Sequence, residues 1–83
     1  MNEKIKKTLK RIISQLKDYQ PEKIILYGSA ARGESAKDID LLVIKKTKKN
    51  YFSRLQEINQ RYIDRWQLDV PLDLTVYTPD EFN

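Results

Sequence analysis

The sequence predicts a mixed α/β (α+β) fold, a small mixed three-stranded sheet packed against two long helices in the order α-β-(short α)-β-α-β. Two long segments repeat apolar residues at helical spacing, and three short apolar or alternating runs lie among them. A Gly-Ser turn also joins the first two of these runs, at Gly28 and Ser29.

In the first segment Ile5, Leu9, Ile12, Ile13, Leu16 and Tyr19 form one stripe, and Pro21 ends it. A helix to about Asp18 is expected. Strand one is Lys23 to Tyr27. After Gly28, Ser29 is suited to cap a short helix through Arg32. Strand two is Ile39 to Ile44. The second long helix carries Tyr51, Phe52, Leu55, Ile58, Tyr62, Ile63 and Trp66. Their spacing predicts a buried stripe, with Arg54, Arg61 and Arg65 off it and facing solvent. Strand three is Leu72 to Tyr77, where Leu72, Leu74 and Val76 take one face and Asp73, Thr75 and Tyr77 the other. Thr78, Pro79 and Glu81 then announce a helix start with a capping box. The sequence given ends at Asn83, so either a continuation of that helix or a partner over that edge is expected, with residues 1–83 forming a single, C-terminally short domain.

The segment YGSAARGESAKDIDLLVI, Tyr27 to Ile44, carries the chemistry. Alternation puts Asp38 and Asp40 on one strand face and Ile39, Leu41 and Val43 on the other. At about 3.3 Å per residue the two aspartate Cα atoms lie roughly 6.6 Å apart, so both carboxylates can converge on one divalent ion or on a pair of ions. Gly28 allows a close backbone approach, Ser29 and the free N–H groups of the short helix suit a phosphate, and Arg32 adds a positive fork.

The order strand, Gly-Ser, Arg-Gly, Asp-x-Asp, apolar strand resembles the signature of the nucleotidyltransferase superfamily that includes DNA polymerase beta. It is most similar to the minimal nucleotidyltransferase (MNT) family, small proteins whose genes often neighbour a HEPN-domain partner. Eight residues separate Ser29 from Asp38, two fewer than is usual in that family, and Lys37 stands where a serine is common. The resemblance implies a third carboxylate on a later strand. Asp73 fits it; Asp69 precedes Pro71 in a turn and Asp64 falls in the helical pattern.

Composition narrows the chemistry. At 83 residues, with 40% apolar and 34% charged, the chain reads as one soluble domain with a modest core. The absence of cysteine excludes disulfides, thiolate catalysis and structural zinc, and the absence of histidine leaves base chemistry to carboxylates, lysine, tyrosine or metal-bound water. No apolar run is long enough to span a membrane and no secretion signal is present, so a cytoplasmic protein is expected. The net charge of +4 is concentrated in residues 1–17 and in Lys45, Lys46, Lys48 and Lys49. Those lysines read better as solvated charge than as a nucleic-acid surface, for no exposed aromatics interleave with them.

Three functions follow. The first is transfer of AMP from ATP to an acceptor hydroxyl. Asp38, Asp40 and Asp73 would hold two Mg²⁺ ions, and Gly28, Ser29 and Arg32 the nucleotide phosphates. The resemblance implies that the acceptor is a tyrosine of a HEPN ribonuclease toxin, making this chain the antitoxin. The second is a non-catalytic module that neutralises the toxin by contact. The third and weakest is a basic nucleic-acid-binding domain. The limited core and open sheet edges favour a homodimer or a hetero-complex.

Overall fold

In the computed structural model, residues 3–33 and 37–83 are described. The first helix, α1 (Glu3–Leu16), buries Ile5, Ile12 and Leu16 and passes into a single 3₁₀ turn, Lys17–Tyr19. Gln20 closes it in the left-handed region at φ 58°, its N–H on the Lys17 carbonyl, and Pro21 follows.

Strand β1 (Lys23–Tyr27) leads directly into the short helix α2 (Gly28–Ala31), and β2 (Ile39–Ile44) follows. After β2 comes a helical run whose start is capped by Asn50, Oδ1 accepting from the Ser53 N–H at 2.9 Å. That run comprises α3 (Tyr51–Ile58), a wider π-helical turn (Asn59–Ile63) and α4 (Asp64–Trp66). Its buried residues Arg54, Ile58, Tyr62 and Trp66 recur every fourth position. Four residues of ideal α-helix overshoot one full turn by about 40°, so such a stripe would wind off the sheet. The wide turn offsets that drift and keeps the stripe in place. Tyr62 then donates to Asp18 at 2.7 Å, and Arg11 donates to the Trp66 carbonyl at 2.8 Å, binding this run to the 3₁₀ turn and to α1.

Strand β3 (Leu72–Tyr77) completes a sheet of order β1-β2-β3, with β1 antiparallel and β3 parallel to the central β2. In register, Leu26, Leu41 and Leu74 form one row, and Ile24, Val43 and Val76 the next. These belong to the core that joins the sheet to the long helices. The other face carries the row Ile25, Leu42 and Thr75, all only half-buried.

Helix α5 (Pro79–Phe82) starts on the expected capping box, Thr78 and Glu81 each satisfying the other's backbone N–H. Its anchor was not anticipated. Arg54, expected in solvent, is 5% exposed and donates to the Val76 carbonyl at 3.2 Å, the Lys49 carbonyl at 2.8 Å and both Glu81 carboxylate oxygens at 2.7 and 3.2 Å. Conversely Tyr51 and Phe52, expected in the buried stripe, are exposed, Phe52 by 82%. They open α3 beside Tyr77, on which Tyr51 packs at a ring separation of 6.2 Å.

Candidate functional site

Asp40 and Asp73 each occupy the second position of their strand and are register partners in the parallel pair. Tyr27 partners Asp40 on the antiparallel side. One row therefore crosses the sheet as Tyr27, Asp40, Asp73, on the face turned away from the core. Asp38 stands exposed just ahead of β2. Burial first, then the charges of Asp38 and Asp73, push the Asp40 carboxyl above its ordinary value. The three acids predicted to converge thus lie within electrostatic reach of one another, with Asp40 at the centre.

Gly28 explains how Asp40 can sit there. Its φ is +75°, and a Cβ on it would lie 2.3 Å from Asp40 Oδ2 and 3.2 Å from Cγ. Glycine is needed both for the turn and for the room. The group that approaches this backbone is Asp40's own carboxylate.

Two expectations for the turn are corrected. Ser29 does not cap the short helix, which begins at Gly28, two residues earlier than that cap would place it, with Tyr27 at the N-cap and no side-chain cap bond. The positive φ of Gly28 turns the chain into α2 at once, leaving Ser29 in its second position. Arg32 follows α2 rather than ending it, its N–H on the Gly28 and Ser29 carbonyls at 3.3 and 3.2 Å. The middle of the shortened Ser29–Asp38 loop, residues 34–36, lies outside the described residues.

Tyr27 is the neighbour that the sequence reading passed over. Burial raises its phenol above the ordinary value, as do the charges of Asp73 and Asp40, while a hydrogen bond with Thr75 pulls it down. Its position at a strand end, immediately before the glycine of the motif, was the available signal. The Tyr19 and Tyr62 phenols, both pushed up to about 12 chiefly by burial, belong to the core under the helices.

Cavity size does not select this row. A groove of about 610 Å³ runs along the polar side of the second helical run, between Lys49 and Arg65, and another of about 520 Å³ lies between Lys46 and Asp80. Neither includes a carboxylate of the row, because an open sheet face is not concave. Among the described residues no three metal-ligating side chains form a ready cage. The donor set nevertheless suits a hard divalent cation, being carboxylate oxygens among which burial and then mutual repulsion raise the Asp40 carboxyl, a penalty that a cation would relieve.

The lysines after β2 are largely occupied within the chain. Lys45 donates to the Tyr19 carbonyl and covers its ring, Lys46 pairs with Glu22 at 3.6 Å, and Lys49 pairs with Glu57. No helix among the described residues is long and apolar enough to cross a membrane.

No curated protein and no solved structure matches the chain. The family model of the nucleotidyltransferase domain matches residues 5–83, and the chain belongs to that family.

Proposed function

We propose that this nucleotidyltransferase moves AMP from ATP to an acceptor hydroxyl, that of a tyrosine on a HEPN ribonuclease toxin, and so acts as the toxin's antitoxin. The observation that carries the reading is the Asp40–Asp73 register pair, set against the Gly28 backbone and joined electrostatically by Asp38.

Asp38, Asp40 and Asp73 would hold the Mg²⁺ ions. Bound there, the ions would neutralise the triphosphate and lower the pKa of the acceptor hydroxyl. Gly28, Ser29 and Arg32 lie at the end of the row from which β1 turns into α2, suited to orient the β- and γ-phosphates. The acceptor oxygen bonds to the α-phosphorus, the α–β bridging bond breaks, and pyrophosphate leaves with the electron pair. Asp73, exposed at the outer end of the row, is suited to take the acceptor proton. Assembly with the toxin, or as a homodimer, would cover the open sheet face.

Incubation with MgATP and the protein encoded beside this one should add AMP to a partner tyrosine, read as a mass increase. Ser29→Ala, Arg32→Ala and Asp73→Asn should each slow it. Neutralisation that persists in all three variants, or without ATP, would favour inhibition by contact alone.

A further inference from the structure

The acceptor assigned above is a hydroxyl on another protein, yet the carboxylate row already carries a hydroxyl of its own. Tyr27 is the register partner of Asp40, and it stands one residue before the Gly28-Ser29 turn proposed to orient the phosphates. Its phenol is hydrogen-bonded with Thr75, on the far strand of the sheet. Adjacent strands are about 4.8 Å apart, so a bond that spans two such intervals requires the ring to lie across β2, between the positions of Asp40 and Leu42. The hydroxyl is thereby carried from the phosphate end of the row to β3, the strand of Asp73, the group suited to take an acceptor's proton. Of the charges that reach it, that of Asp73 weighs most and that of Asp40 next.

The other four tyrosines, all among the described residues, are not so placed. Tyr19 and Tyr62 are buried in the core, and Tyr51 opens α3. Tyr77 shares the open face but stands four residues past Asp73, about 13 Å away at strand rise. Tyr27 is 40% exposed, so a ligand can reach it.

We infer that Tyr27 is a modification site: with MgATP bound and no partner present, the chain transfers AMP to its own Tyr27 hydroxyl. This rests on the transfer reading above and gives the same site a second acceptor. The phenolic oxygen bonds to the α-phosphorus, and the bond from that phosphorus to the α–β bridging oxygen breaks. Pyrophosphate leaves with the electron pair, and the phenolic proton passes to the Asp73 carboxylate.

The test needs no partner. One sample of the chain is incubated with MgATP; a second, isotopically labelled at tyrosine, is titrated with Mg²⁺ and α,β-methylene-ATP, whose bridge cannot break. The analogue should shift the Tyr27 ring signals in the NMR spectrum and leave the mass unchanged. With MgATP the intact mass should rise by one AMP, mapped by fragmentation to Tyr27, at a rate constant independent of chain concentration. Tyr27→Phe should abolish the increase while the analogue still binds, and Asp73→Asn should slow it by about a hundredfold or more. Binding of the analogue with no AMP on Tyr27, or with the Tyr27 signals unmoved, would overturn the inference and leave the transfer reading standing. AMP on a different residue, or a rate constant that rises with chain concentration, would also overturn it, the latter in favour of transfer between copies. If the analogue does not bind, the transfer reading falls, and this inference with it.

Discussion

The two faces of the sheet are made by the same three strands, residue by alternate residue, and they have opposite requirements. On the core face Ile39, Leu41, Val43 and Val76 are wholly buried between strands and helices. On the other face Asp40 and Asp73 stand side by side, with Asp38 close enough to raise the Asp40 carboxyl. The first arrangement is what stability favours; the second opposes it, because like charges are held together. A local cost at a site with so little covering structure marks that face as the chemical one.

Asp40→Asn should divide the faces most sharply. Transfer should fall by about a thousandfold or more, since the charge proposed to hold a cation is lost while the volume is kept. Stability should move the other way. The folded Asp40 carboxyl titrates above its unfolded value, so folding is penalised as pH rises from about 4 through the folded value. In chelator at neutral pH the variant should melt at or above the wild-type temperature, and the gap should close in acid. A variant that melts lower at neutral pH would contradict the burial and repulsion that raise the Asp40 carboxyl.

On the core face the expected effect is structural. Leu41→Ala, one residue along the same strand, should cost about 2–5 kcal/mol, lowering Tm by on the order of 8–40 °C. At a temperature where the variant remains folded, MgATP should bind as it does to wild type.

Arg54→Ala probes the edge between the faces with a smaller effect. It leaves the buried Val76 carbonyl without its donor, a loss of about 1–3 kcal/mol, and frees α5 from α3. Because the Arg54 guanidinium holds the Glu81 carboxyl below its ordinary value, the contribution of that pair is complete above the unfolded carboxylate pKa. It should fade as pH falls through the folded value, and denaturant midpoints of wild type and Arg54→Ala should draw together in acid.

The strands could be read from sequence to the residue because alternation has only two phases, and a burial pattern such as that of Leu72 to Tyr77 admits one answer. The Asp40–Asp73 pairing was legible in part. Which face each acid takes follows from alternation; the register that makes them direct neighbours depends on how β3 returns beside β2. Arg54 was misread because a helical arginine looks solvated until the Val76 carbonyl and Glu81, more than 20 residues away, are in place. The π turn has no local signature, and it emerges from the need to keep Arg54, Ile58, Tyr62 and Trp66 on one line. Tyr51 and Phe52 fit the helical period but open the helix where they remain largely in solvent. Ser29 was misplaced by two positions because cap and first-turn residues share the same chemistry.

The central claim is that the carboxylate face holds a metal-bound nucleotide. Titration calorimetry with ATP tests it directly, comparing wild type with Asp38→Asn/Asp40→Asn in the presence and absence of Mg²⁺. The expected result is binding by wild type that depends on Mg²⁺ and is lost in the double variant, with circular dichroism unchanged. Equal MgATP affinity in the two proteins would contradict the account.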